Sequence, residues 1–368
     1  MKTNQWRSPS NRLIGGILLC VFVPLFIYPA REFSVQADEA LPSKPIATHV
    51  AELGRYLDQV EVYAPIVYRD LMVYPLRLRD GDKLRGGWLT MDQALARKVL
   101  VVTEKMGGGR VPIVRVENRS RNDTVFLTSG EVLAGGKQTR TVRQDVVLAP
   151  GQRIDLNVFC VEAHRWEGRA DFTAGYMLLP QSIQKELRKG ADQERVWNEI
   201  ARNNMALDAE NKTGSLELAL NSDKVKSGLA DVRKKVVPEV PDDSVGFIFV
   251  DGRRAVGADL FGRENLAKSL FPKLLDAYAV DIVLQRKSDS QIERAADRDE
   301  AALNFLRDLR SVGSERCKTP GSGAGIRTRR GGMLGDGVSL GGVVVHYGAQ
   351  IQDRIIPLPK PRLDRPLR

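Results

Sequence analysis

The chain has 368 residues, 42% of them hydrophobic, and a formal net charge of +10. That is enough for one large domain or two ordinary ones, with a core that needs neither a disulfide framework nor a metal to fold. The basic residues are interspersed with acidic ones. The dense basic stripe with aromatic platforms that nucleic-acid binding needs is therefore missing.

In chain order, Lys2, Arg7 and Arg12 precede an apolar run from Leu13 to Tyr28, and Val35-Gln36-Ala37 gives a small-residue cleavage pattern. Residues 1–37 read as a secretory signal cleaved after Ala37, which places the mature protein in the periplasm or outside the cell. The alternative is a signal anchor held in the membrane by residues 13–28. Acylation at Cys20 is disfavoured, because Leu18 and Leu19 stand where small residues are needed. The leader carries Lys2, Arg7, Arg12 and Arg31 against Glu32, a net +3, so the mature chain keeps +7.

Residues 38–55 read as a linker. Strand periodicity follows from about Val60 to Glu162, in Met72 to Leu78, Val99 to Val102, Val111 to Val116, Thr124 to Thr128 and Ile154 to Val161. Met106 to Arg110 and Asn118 to Asp123 have the short polar make-up of hairpin gaps. One helix interrupts, Thr90 to Lys98, with Thr90 as its cap and Asp92 in its first turn. Short antiparallel connections imply a meander or barrel rather than a Rossmann sheet.

Past Pro180 the period changes to helical. Gln181 to Gly190 and Asp192 to Leu207 are helices, the second aligning Val196, Ile200 and Leu207 on one face with Trp197 beside it. Asp223 to Val237, Arg263 to Leu275 and Gln291 to Arg310 are further helices. Val245 to Val250, the turn Asp251-Gly252 and Ala255 to Phe261 form a hairpin. It needs partners, either in the first-half sheet or in late strands at Val338 to Tyr347 and Ile351 to Ile356. Residues 313–337 read as a Gly/Arg-rich surface loop, whose Gly321-Ser322-Gly323-Ala324-Gly325 lacks the strand and helix of a dinucleotide fingerprint. Residues 357–368 form a Pro-rich basic tail of polyproline type. The expected fold is α+β: an antiparallel β-rich first half, meander or barrel-like, packed with a helical second half as one integrated two-lobed domain over residues 56–312 and 325–356.

Chemistry concentrates between Ser129 and Trp166. Glu131 and Glu162 can act as general acid and base or bind a metal ion through oxygen, or equally pair with Arg140 and Arg165 in a buried network. Gly135-Gly136 followed by Lys137, Gln138 and Arg140 can hold an anion, or form a bend beside an exposed strand face. Cys160 can be a core thiol, one end of a bridge to Cys317, or a nucleophile. Trp166 can stack a ring or fill core. With only His49, His164 and His346, no zinc spacing is present, so no metal ligands are assigned and the cofactor is unknown.

Several segments here resemble the ARG and rhodanese-phosphatase-superfamily-associated protein domain family. They are Val73-Tyr74-Pro75-Leu76, Leu89 to Leu95, Gly130 to Arg140, Cys160-Val161-Glu162 with Arg165-Trp166, Arg195-Val196-Trp197, Val245 to Phe261, Leu274 to Tyr278 and Val344-Val345-His346. The resemblance implies a role near ADP-ribose or phosphorylated ligands, and so a small phosphorylated or ribose-containing partner. It carries over Glu131, Lys137, Gln138, Arg140, Cys160, Glu162, Arg165 and Trp166 as site candidates. His164 stands where the family has Gly before Arg-Trp, which either changes the local backbone turn or adds an imidazole to the ligand-binding candidates. Two functions are expected from this: a phosphate or ADP-ribose-like pocket with hydrolytic residues, or a non-catalytic envelope module whose charges form a buried network.

Overall fold

Helices and strands are both abundant, and the computed structural model describes residues 48–80, 84–104, 113–163, 172–252, 254–285 and 296–352. The leader, the polar gap around Met106 to Arg110, the segment holding His164, Arg165 and Trp166, and the Pro-rich tail lie outside the described residues. All that is described belongs to one compact unit, Ser34–Arg368.

The chain opens with α1 (Ala51–Asp58), then β1 (Val60–Val62), β2 (Ile66–Tyr68), β3 (Leu71–Leu78) and β4 (Gly87–Thr90). Thr90 and Gln93 form a reciprocal capping box that starts α2 (Met91–Ala96). Next come β5 (Leu100–Glu104), β6 (Ile113–Asn118), β7 (Asp123–Leu127), β8 (Glu131–Gly135), β9 (Arg140–Val142), β10 (Val146–Leu148), β11 (Arg153–Cys160) and β12 (Phe172–Leu178). The helical stretch holds α3 (Gln181–Lys189), α4 (Gln193–Ala206), α5 (Leu216–Leu220) and α6 (Asp223–Val236). After β13 (Gly246–Asp251) and β14 (Arg254–Phe261) follow α7 (Glu264–Ala279) and α8 (Ala296–Val312). The chain closes with β15 (Glu315–Cys317), β16 (Ala324–Arg330), β17 (Met333–Leu340) and β18 (Val343–Ile351).

These strands make three sheets: nine strands in the order β1-β3-β13-β14-β18-β17-β16-β15 with β2 also on β3, three in the order β10-β7-β4, and six in the order β12-β8-β9-β11-β6-β5. The fold is α+β, as expected. The β13–β14 hairpin finds both of its candidate partners, β3 on one side and β18 on the other. It thereby ties the start of the chain to its end. Alternation along the large sheet divides the core. Met72, Tyr74, Ile248, Val250 and Leu260 face α1 and α8, while Val73, Phe247, Phe249 and Phe261 face the helices of the second half. A third core, with Leu133, Val142, Leu156 and Val158, fills the first-half sheets.

Five expectations are corrected. The linker ends earlier, because Leu53, Tyr56 and Leu57 give α1 an apolar face that is buried against the large sheet. Asn118 to Asp123 is not a hairpin: β6 pairs with β11 and β5, whereas β7 pairs with β10 and β4. The gap is a step between sheets, held by the Asn118 amide donating to the carbonyls of Asp123 and Leu148 at 2.9 and 3.0 Å. The β4–β7 pair is parallel, an exception to the antiparallel pattern. Finally, most of residues 313–337 are strands. Arg327 and Arg329 reach Asp336 across the β16–β17 ladder at 3.1 and 2.5 Å, so these charges are cross-strand pairs. Gly321 has φ 80°, and a Cβ there would lie 2.2 Å from the Val147 carbonyl oxygen, so this glycine marks a close approach between segments. A Gly341–Gly342 turn divides the expected Val338 to Tyr347 strand into β17 and β18.

Candidate functional site

β8 ends at Gly135 and Gly136, both in the left-handed region at φ 101° and 58°. A Cβ on Gly136 would stand 2.4 Å from the Phe172 ring, so the bend requires glycine. The Lys137 amide donates to Glu104 Oε1 at 2.8 Å, and the Lys137 residue is exposed. The chain then turns inward, where Gln138 is fully buried and Arg140 is 8% exposed. Gln138 donates to the Glu162 carbonyl at 3.1 Å, and the Thr139 amide donates to the Glu162 carboxylate at 3.3 Å. Arg140 donates to Gln138 Oε1 at 3.1 Å and to the Cys160 sulfur, its cross-strand partner. Burial pushes the Cys160 thiol up, and the adjacent Arg140 charge opposes that rise. Gln193, the first residue of α4, grips both backbone groups of Cys160 at 2.8 Å. Cys160 and Cys317 are both free thiols.

Glu131 begins the same strand but joins a different set of partners. Its Oε2 accepts the Thr128 amide at 2.9 Å, and its Oε1 lies 3.6 Å from Lys273 Nζ with no hydrogen-bond partner among the described residues. Lys273 in turn contacts Asp92 at 2.5 Å. Complete burial raises the Glu131 carboxyl to about 7, against the pull of the Lys273 charge. The Thr128 hydroxyl donates to Asp145 Oδ1 at 3.2 Å. The second oxygen of Asp145 meets His346 Nδ1 at 2.7 Å, and His346 Nε2 meets Asp259 Oδ1 at 3.2 Å. Asp259 Oδ2 accepts the Tyr278 hydroxyl at 3.0 Å. Burial alone would lower the His346 pKa, but the two aspartates outweigh it and raise it to about 9. A continuous polar chain thus runs from Lys273 through Glu131, Thr128, Asp145, His346 and Asp259 to Tyr278, touching all three sheets and α7 at both ends.

A family model for the ARG and Rhodanese-Phosphatase-superfamily-associated Protein domain matches residues 59–349. The chain belongs to that family. The matched residues of this domain include every member of the polar chain and both halves of the fold, while the leader and the Pro-rich tail fall outside them. No curated protein and no solved structure gives a significant match.

Within the domain, the structure brings Gln138, Arg140, Cys160 and Glu162 together and leaves Lys137 at the surface. Glu131 pairs with Lys273 rather than Arg140, and Arg140 is buried rather than on an exposed strand face. Two cavities, one lined by Val132, Val161, Met177 and Leu216 and the other by Tyr63 to Arg69, take in none of Glu131, Arg140 or Glu162. Among the described residues no group of His, Cys, Asp and Glu is placed to hold a metal ion. Sequence reasoning missed the roles of Asp145, Asp259, Lys273, Tyr278 and His346. A usable signal was present: Asp259 and Lys273 are charges set inside apolar runs, Ala258 to Phe261 and Leu270 to Leu275, where an ionisable group must be paired or neutral.

Proposed function

We propose that this domain is an exported, non-catalytic binding or structural module of the cell envelope. Its buried charges hold three sheets together, and its recognition lies on the outer surface. One observation carries the reading: apart from Glu131 Oε1, the charged groups of the richest cluster are buried against one another, in a chain that links the large sheet, the six-stranded sheet and the turns beside β7 and β10, and that borders neither cavity. Groups so placed stabilise a fold, but a ligand cannot reach them without opening it. Export follows from the Leu13 to Tyr28 run and the Val35-Gln36-Ala37 pattern. The mass of the protein recovered from an envelope fraction tests it, since an intact Met1 start overturns cleavage after Ala37.

A second reading, a hydrolytic pocket for phosphate or an ADP-ribose-like ligand, is favoured by Glu131. A carboxyl at about 7 is poised for proton transfer, and its Oε1 has no hydrogen-bond partner among the described residues. Thermal melts of the mature protein with inorganic phosphate, ADP-ribose, ADP or Mg²⁺ separate the two. The module reading expects melting temperatures to stay where they are with each addition. A ligand at roughly 100 times its Kd adds about 2.7 kcal/mol, so a rise of several degrees that Arg140→Ala removes overturns the module reading.

A further inference from the structure

α3 lays a polar face on the large sheet, where Gln181, Gln184 and Arg188 are each at most 7% exposed. Beneath Arg188 lies Gly348, which stands in the ladder between Asp259 on β14 and Asp336 on β17. A Cβ on Gly348 would come within 2.5 Å of Arg188 Nη2, so the missing side chain lets the guanidinium down onto the sheet. No ion pair joins it to either aspartate. Asp259 is held by His346 and Tyr278, and Asp336 by Arg327 and Arg329. Arg188 Nη1 has no hydrogen-bond partner among the described residues. The same holds for Gln181 Nε2 and Gln350 Oε1, although the other ends of those two amides touch. Gln350 lies two residues beyond Gly348 on the same sheet face, and a side chain at Arg188 leans back along α3 toward Gln181.

We propose that this layer between α3 and β18 binds a small carboxylate that carries a hydroxyl or ammonium group on the next carbon. An unpaired buried guanidinium costs stability, and a bound carboxylate offsets that cost through a charge-assisted hydrogen bond. The carboxylate takes the donors Arg188 Nη1 and Gln181 Nε2. The neighbouring hydroxyl or ammonium donates to Gln350 Oε1, which a bare anion leaves unsatisfied. A monoanion answers the single unpaired guanidinium, whereas a phosphate dianion would bring a second charge beside Asp259 and Asp336. Arg329, its side chain 28% exposed, bridges the Arg188 carbonyl and Asp336 at 2.6 and 2.5 Å, so the site lies near the outer edge of α3. The assignment goes beyond the module reading, and it shares with the buried polar chain only Asp259 as a neighbour.

Melting curves and saturation-transfer NMR of the mature protein with added glycolate, glycine or acetate test this. Glycolate or glycine should raise the parent's melting temperature by several degrees and receive saturation from it, and acetate should act more weakly because it lacks the donor. Arg188→Met removes the charge and keeps an unbranched side chain. Replacing an unpaired buried ion by an apolar group is often neutral or stabilising. Without additions this variant should therefore melt no lower than the parent, and it should lose the rise. Gln181→Met keeps the guanidinium and should weaken the affinity roughly tenfold, as loss of one hydrogen bond to a charged group does. Arg188→Met melting far below the parent would mark a structural cation and overturn the assignment. So would a parent that responds to neither glycolate nor glycine, or a rise that Arg188→Met retains. Equal action of acetate would overturn the role given to Gln350. The phosphate and nucleotide melts that test the module reading are separate from each of these outcomes.

Discussion

At one end of β8 a carboxylate is held by partners from distant elements, whereas beyond its other end an arginine is held by residues two and twenty positions away. Glu131 reaches Lys273 on α7, and through Thr128 and Asp145 it reaches His346, 201 residues from Asp145 in sequence. Arg140 reaches Gln138 and Cys160. The residue types are similar, but the first set joins sheets whose strands lie far apart in sequence, and the second closes a local corner. Removing a member of the first should therefore be felt by the whole fold, and removing a member of the second mainly by one corner.

The largest effect is expected at His346. Replacing it with leucine leaves Asp145 and Asp259 buried without the cation between them, a change that costs roughly 3–5 kcal/mol for a broken buried pair. Calorimetry of His346→Leu should show a fall in melting temperature of roughly 10 °C, taking about 2–4 °C per kcal/mol. Adding Asp145→Asn should restore part of it, because one of the two stranded charges is then gone. A His346→Leu protein that melts with the parent would erase the difference between the two clusters.

The same histidine sets a pH dependence. Its folded pKa of about 9 lies above the ordinary value of 6.5, so its contribution is fully present below 6.5 and is lost as pH rises through 9. Urea melts of the parent between pH 6.5 and 9.5 should lose about 3 kcal/mol, and His346→Leu should lose that step. Glu131 acts at lower pH with the same sign. Its carboxyl is raised to about 7, so its protonated form stabilises below about 4.5, and that gain disappears as pH climbs through 7. Glu131→Gln keeps an oxygen for the Thr128 amide and should flatten the stability curve between pH 4.5 and 7. A carboxyl carbon resonance of Glu131 that titrates near 4.5 would rule this out.

What could be read from the residues alone follows the same division. The Gly135-Gly136 bend and the helix faces of Val196, Ile200 and Leu207 are set by neighbours in sequence, and each is found. The Asp251-Gly252 hairpin is likewise local, and its two candidate partners were both correct. The Asp145–His346–Asp259 chain depends on β14 and β18 being carried beside β10, a pairing no local pattern encodes. The Gly/Arg-rich stretch misled for the opposite reason. Its glycines look like loop residues by composition, yet at Gly321 the missing Cβ admits the Val147 carbonyl, and Arg327 and Arg329 find Asp336 only once β17 is in register.

Smaller effects belong to the corner. Arg140→Ala leaves the Gln138 oxygen and the thiol without their shared donor, and loss of such local bonds costs about 1–3 kcal/mol where a buried group is stranded. Urea melts should place it clearly below the parent, and above His346→Leu. Cys160 should resist iodoacetamide at neutral pH in the native protein, because burial holds its thiol in the unreactive protonated form; rapid alkylation would show that the corner opens.

The smallest effect, and the one that sharpens the comparison most, is expected at Lys137. Its side chain is exposed and its contribution to the corner is the backbone N–H that Glu104 accepts at 2.8 Å, which any residue but proline supplies. Lys137→Ala should therefore change stability by no more than about 0.5 kcal/mol, the usual range for surface positions. Inorganic phosphate then gives the decisive contrast. If the glycine bend and its cations gripped an anion, phosphate would raise the parent's melting temperature and the substitution would remove that rise. If the bend only steers Gln138 and Arg140 inward, both proteins melt together with and without phosphate. The second outcome is expected, because beyond exposed Lys137 the Gly135-Gly136 turn delivers the Gln138 and Arg140 side chains into the protein rather than toward solvent.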